Sequence, residues 1–414
     1  MRNRFVCTLL ALASVAAAET VAIVNANIVP VASATIPRGS LLIQEGKITA
    51  VGARITVPRD ARKIEGAGLS VYPGLINAFT DVGLTEIASV RGSVDTVELG
   101  PFNPQAQAWI AVNPHSEMVR TSRVNGITSA LVAPSGGRIS GAASVVNLFG
   151  FYPDQMALSP RVGLVIEVPS EAGRGRRGGG RGEESSRRTP AEELALLKEY
   201  LREAKAYAEM RARGGAGAPF DLPLESMIPV IRGQAPALCH ASGFREIRTA
   251  VELGDEFGLK VIIVGGAEAW KVVDLLKQKN IPVIYDAIER LPRAREDPYD
   301  INFSTPETLR RAGVRFAIAT GGAGAARNLP YHAALASAYG LEREDALRSI
   351  SQWPAEILGI ADKVGSIATG KLANLLVTKG DPLDVRSEVV HVFIEGREVP
   401  LDSRNSELYD RFSH

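Results

Sequence analysis

Short apolar runs broken by turn formers fill the chain from Thr20 to Val71, as VAIVNANIVPV, GSLLIQEGKITAVG and ARKIEGAGLSVYPG. Runs of this length bounded by Gly, Pro and Asn predict strands. Glu45-Gly46 separates LLIQ from KITAV. A glycine there accepts the positive φ of a tight turn, so these two strands form a hairpin. The pattern returns near the other end, where GSIATGKLANLLVTKG and EVVHVFIEGREV predict strands from Gly365 to Val399. The two strand-rich ends predict one composite β-sandwich domain, residues 19–72 and 363–414.

Between them the period changes. Buried-type runs (GITSALVAP, APALCHA, LKVIIVGG, IPVIYDA, VRFAIAT) alternate with helical segments. Ile247, Ala250, Val251 and Phe257 recur at helical spacing, as do Trp270, Val273 and Leu276 within Glu268 to Lys279. Each helix runs at once into the next strand, the rhythm of an α/β chain folded as a TIM-like (β/α)8 barrel over residues 73–362. Thr189-Pro190-Ala191-Glu192 is a capping box with proline in the first turn. Leu194, Leu197, Leu201, Ala204 and Ala208 then mark the buried stripe of a long helix.

At 45% hydrophobic and 22% charged residues the chain can bury a large core. A net charge of +1 gives no reason to expect nucleic acid as a partner. Residues 1–18 place Arg2 and Arg4 ahead of the apolar run Phe5 to Ala13 and the small-residue exit Ser14 to Ala18. That is the pattern of a signal peptide cut after Ala18, so an exported protein, periplasmic or secreted, is expected. No stretch reaches the ~20 apolar residues of a membrane span. Cys7 would leave with the leader, and Cys239 alone cannot form an intramolecular disulfide. The tract 172–188, AGRGRRGGGRGEESSRR, is too polar to pack and predicts a flexible surface loop. Its six arginines could instead meet an anionic protein or envelope polymer.

VYPGLINAFTDVGL, Val71 to Leu84, resembles the first barrel strand of the amidohydrolase superfamily, in the subgroup of imidazolonepropionases and exported dipeptidase-like enzymes. There the strand reads PGLID, one residue, then His-x-His. NGITSALVAPSGG, HASGFREIRTAVELGDEFGLK, AEAWKVVDLLKQKNIPV and ARNLPYHAALASAYGLEREDALRSISQWPAEILGI agree in collinear order. The ending VGSIATGKLANLLV is similar to the family's GS-x-x-x-GK signature. The resemblance implies one or two divalent cations, commonly zinc, at the C-terminal strand ends, where a bound water is activated for hydrolysis of carbon–nitrogen bonds.

Transferred residue by residue, the resemblance puts the two first-strand histidines on Phe79 and Asp81, the fifth-strand histidine on His240, the sixth-strand histidine on Gly265 and the eighth-strand aspartate on Gly321. The bridging residue of the fourth strand is left unplaced. A phenyl ring and two glycines offer no ligating side chain, so lost or greatly reduced catalysis with no metal cofactor is expected, in a protein that binds a small amide or peptide-like ligand or supports an active amidohydrolase relative. The alternative is an active mononuclear site, with zinc or another divalent cation held by His240, Asp81 and one of Asp286 or Glu268. Each residue has a plainer role open to it: His240 as a hydrogen-bonded barrel-mouth residue, Asp286 as a solvated loop carboxylate, and Glu268 as a support for the helix after the sixth strand. His115 and His332 read as surface or packing residues and His391 as a β-domain strand residue. SGGRISG, Ser135 to Gly141, lacks the Gly-Lys-Ser/Thr ending of a phosphate loop and reads as a tight connection over the mouth.

Overall fold

A computed structural model of the chain describes residues 19–170, 188–214 and 219–413. The leader, Cys7 and all of the arginine tract except Arg188 lie outside the described residues. Strands β1 (Val21–Ile28), β2 (Ile36–Gln44), β3 (Lys47–Gly52), β4 (Arg62–Glu65) and β5 (Ser70–Pro73) come from the first end. The barrel strands are β6 (Leu75–Thr80), β7 (Ile127–Val132), β8 (Ile139–Asn147), β9 (Ala157–Glu167), β10 (Ala237–Ala241), β11 (Val261–Gly265), β12 (Val283–Tyr285) and β13 (Phe316–Ile318). Then β14 (Leu375–Lys379), β15 (Glu388–Ile394) and β16 (Arg397–Glu398) return to the first domain.

The composite domain joins both chain ends in one eight-stranded sheet, ordered β16-β15-β14-β5-β1-β2-β3 with β4 beside β1. The antiparallel β14–β5 ladder makes that join, and Val71, Leu375, Val377 and Phe393 bury alongside Ile23, Leu41 and Ile43. The β2–β3 hairpin turns at Glu45 (φ 50°) and Gly46 (φ 78°), as the sequence predicts.

The second sheet is the barrel, ordered β13 back to β6. Ile76, Leu131, Val145, Val165, Leu238, Val264 and Ile284 pack together as one cluster, so the barrel has a filled core. One strand departs from an all-parallel barrel: β8 runs antiparallel to both β7 and β9. Only residues 133–138 separate β7 from β8, and a parallel crossover needs a dozen or more. Gly136 (φ 86°) and Gly137 (φ 69°) turn the chain back instead. A second short connection, residues 148–156, restores the common direction at β9.

Helices behave largely as their patterns predict. Phe244–Phe257 buries Ile247, Ala250, Val251 and Phe257, and Pro190–Ala212 starts at a complete Thr189/Glu192 capping box. The helix expected over Glu268 to Lys279 is shorter, a 3-10 turn at Ala269–Val272 followed by Val273–Gln278. Among the described residues no helix is long and apolar enough to cross a membrane.

The first and last barrel strands meet through side chains as well as backbone. Asn77 Nδ2 donates to Thr320 Oγ1 at 2.7 Å, and Thr320 N donates back to Asn77 Oδ1 at 3.2 Å. Gly321 N donates to Phe79 O at 3.0 Å in the same seam. Both Asn77 and Thr320 are buried. Asn77→Ala removes two buried hydrogen bonds and leaves Thr320 groups unpaired, at about 1–3 kcal/mol. Its urea midpoint should fall with circular dichroism unchanged at zero denaturant; an unmoved midpoint would mean the seam does not depend on this residue.

Candidate functional site

Parallel barrel strands deliver their C-terminal residues to one mouth, and adjacent strands lie about 4.8 Å apart. His240 of β10 and Glu167 of β9 are register partners there. His240 Nδ1 stands 3.0 Å from Glu167 Oε2. Glu167 therefore ends the fourth barrel strand, on which the resemblance expects a bridging residue and the sequence alone does not single one out. Its one signal was a charged residue closing the apolar run VGLVIE. Phe79 stacks on His240 with ring centroids 6.1 Å apart and planes within 12°. No described group bonds to His240 Nε2.

Burial works against a charged His240, yet the charge and hydrogen bond of Glu167, helped by Asp286 and opposed by Arg290, push the imidazole up to about 8. Arg290 Nη2 donates to Asp286 Oδ2 at 2.6 Å. The Asp286 side chain is only 2% exposed, and its Oδ1 is buried with no hydrogen-bond partner. The sequence reading of a solvated loop carboxylate is therefore corrected.

The two glycines at ligand positions have left-handed backbones, Gly265 at φ 105° and Gly321 at φ 77°. A Cβ on Gly265 would stand 2.6 Å from Ser242 Oγ, and one on Gly321 would stand 3.0 Å from Asp286 Oδ2. The Asp286 carboxylate, carried from the end of β12, therefore lies beside the position the resemblance gives to the eighth-strand aspartate.

Other candidates go elsewhere. Asp81 Oδ1 accepts a short hydrogen bond from Ala323 N, at the start of the 3-10 turn Ala323–Asn328 after β13. Glu268 accepts from Phe244 N at 2.9 Å and from Lys271 Nζ at 2.8 Å. One oxygen thus holds the start of the helix after β10, and the other pairs with Lys271 in the 3-10 turn after β11. Arg138 of the glycine-rich turn forms a buried pair with Glu193, Nε to Oε2 2.8 Å. His115 is exposed, His332 is buried within Leu329–Ala338, and His391 lies on β15 with Nδ1 2.5 Å from Glu398 Oε1. Cys239 is fully buried, and burial pushes its thiol up to about 12.

Residues at the mouth do not fit the divalent cation that the resemblance implies. Three catalytic-type ligands and an open position are the minimum for zinc. Among the described residues no group of three or more His, Cys, Asp or Glu is arranged to hold a metal. His240 already has a carboxylate partner, Asp81 is tied to a backbone amide, and Phe79 presents hydrocarbon.

The sequence pattern that defines the Amidohydrolase family matches residues 189–399. Amidohydrolase tasK of Hapsidospora irregularis is 24% identical over 404 residues, covering 86% of this chain. The chain spans 39% of that relative's length. A crystal structure of an amidohydrolase from Thermotoga maritima MSB8 is 28% identical with a TM-score of 0.83, covering 93% of this chain and 100% of that one. A prolidase complexed with N-methylphosphonate-L-proline shares the fold at 17% identity and TM-score 0.58, covering 92% of this chain and 99% of that one.

Two measurements check the geometry. The folded pKa of His240 is raised above the ordinary value of about 6.5, so the Glu167 pair stabilises fully below that pH and its contribution is lost as pH rises through about 8. The stability difference between wild type and Glu167→Gln should therefore be larger at about pH 6 than at about pH 9. By NMR the His240 pKa should drop in the variant, since burial then dominates; an unchanged titration would sink this account. Gly265→Ala imposes a side chain on a left-handed residue and should cost roughly 1–3 kcal/mol, read as a lower melting temperature.

Proposed function

The chain belongs to the amidohydrolase family, and on that premise we propose that it is a ligand-binding member whose barrel mouth works without a catalytic metal and whose hydrolytic activity is lost or greatly reduced. The observation that carries this reading is the direct Glu167–His240 pair beneath the Phe79 ring. The imidazole that would serve a cation has a carboxylate neighbour and a hydrocarbon face. Small amide or peptide-like molecules are the ligand class, and the leader pattern in residues 1–18 supports action outside the cytoplasm, in the periplasm or after secretion. An active amidohydrolase relative is the partner class that fits a member of the family with lost or reduced catalysis.

A second reading, an active hydrolase with a relocated site, is favoured by one observation: the buried Asp286 carboxylate beside Gly321. A carboxylate with a buried, unpartnered oxygen could take a proton from an attacking water. Metal-supplemented turnover of dipeptides, hydantoins or lactams that Asp286→Asn and His240→Ala both abolish would establish this reading over the first.

Protein purified with zinc, cobalt or manganese present should carry well below one ion per chain by elemental analysis. One tightly held ion per chain overturns the metal-independent reading. Replacing Asp81, Gly265 and Gly321 by His, His and Asp while keeping Phe79 should add little zinc affinity. The two glycine changes strain left-handed backbones, and the new aspartate meets the Asp286 carboxylate as a like charge. Tight zinc binding by that variant would show that the ring and the glycine backbones do not block the site.

A further inference from the structure

Pro236, Lys260, Pro282 and Arg315 immediately precede β10, β11, β12 and β13. Those strands are parallel, so the four residues gather at the barrel end opposite the mouth. They line one cavity of about 550 Å³, a size within the roughly 300–1,000 Å³ of small-molecule sites. Side chains alternate along a strand, and Ile262 of β11 and Ala317 of β13 belong to the cluster that fills the barrel. Lys260 and Arg315, each two residues earlier, fall on the same register, beneath that apolar core. Only β12 separates their strands, which places the two backbones two strand spacings apart, roughly 10 Å across the sheet. Two long side chains can span that distance to meet one small ligand.

Charge at this end is unbalanced. Lys279 Nζ donates to both oxygens of Asp255, at 2.8 and 2.7 Å, which neutralises that pair. Lys260 and Arg315 are exposed, and among the described residues neither has an ion pair or a side-chain hydrogen bond. Two positive charges are thus left without an acid in a pocket walled elsewhere by Val251, Ile281 and Ile357.

We propose that this pocket binds a small organic dianion, a phosphate monoester or a dicarboxylate, with its charge between Lys260 and Arg315 and its carbon body against the apolar walls. Two negative charges match the two unpaired cations, whereas a neutral molecule leaves both without a partner and a cation is repelled. Asp255 limits the affinity, because its carboxylate occupies Lys279 and repels the ligand. The site stands apart from the mouth and does not depend on whether the mouth holds a metal.

Titration calorimetry at about pH 8 tests the proposal, since a phosphate monoester with a second pKa of about 6 carries both charges there. Phenyl phosphate and glutarate are the probes, with neutral phenol and singly charged butyrate as controls. At least one dianion should bind, and the tighter of the two identifies the head group. Phenol should show no binding and butyrate at least about tenfold weaker binding than the better dianion. Raising salt from about 50 to about 300 mM should weaken the dianion, because exposed charges are screened. Replacing both cations, Lys260→Gln with Arg315→Gln, should cost at least about tenfold in affinity. Asp255→Asn should raise affinity about threefold, a gain that no folding defect imitates. Failure of both dianions to bind overturns the proposal, as does failure of Asp255→Asn to tighten binding. Equal binding by the double variant overturns it too, since the anion then lies elsewhere. A double variant that is less stable, in a protein whose wild type ignores both dianions, would mean that Lys260 and Arg315 serve only the adjoining helix ends, whose dipoles favour positive charge.

Discussion

Closure of the barrel between β6 and β13 rests on Asn77 and Thr320, which exchange two hydrogen bonds inside a buried seam. The same seam carries Gly321 N to Phe79 O, so the register that closes the barrel also sets where the Phe79 ring ends. From there the site follows by neighbourhood. The ring stacks on His240, His240 reaches Glu167 on the adjoining strand, and Gly321 lies beside the Asp286 carboxylate. A shift of this seam would move Phe79 and the groups packed on it, because those are placed by strand ends.

What the seam does not position is held by ion pairs in the segment after β12. Lys271 bridges Glu268 and Asp297, Arg293 meets Glu246, and Asn302 Nδ2 donates to Arg290 O at 2.6 Å. These contacts fix the backbone under Arg290 while its side chain stays partly open. Buried ion pairs are weak evidence for stability, since desolvation offsets most of their attraction. Their value here is orientation: they hold a mobile type of side chain over a carboxylate that has one oxygen unpaired.

The fold was legible in the sequence where local chemistry and tertiary structure agree. The Glu45-Gly46 hairpin, the Thr189/Glu192 capping box and the buried stripe from Ile247 to Phe257 are each decided by a few neighbouring residues. The site was legible only in part. His240, Phe79, Gly265 and Gly321 come from motif order, as positions to which the resemblance assigns ligands. Glu167 does not, since one carboxylate at the end of an apolar strand carries no spacing with anything else until β9 lies beside β10. Burial of Asp286 depends on Gly321, 35 positions further on, being a glycine with room for a carboxylate beside it. The reversed β8 was readable in principle from the six residues that precede it, but an apolar strand has the same composition in either direction.

A phenylalanine and a glycine at a position where the resemblance expects a ligand have different physical consequences. At Phe79 the backbone stays extended within β6, so the position can accept many side chains and the ring itself is what excludes a cation. At Gly265 and Gly321 the backbone has positive φ, a region that a residue with a Cβ enters only at a cost. Neighbours stand close, Ser242 to one glycine and Asp286 to the other. Side chains at these two positions are therefore barred by the conformation of the chain and by what now occupies the space. The mouth instead presents charged groups from β9, β10 and the segment after β12.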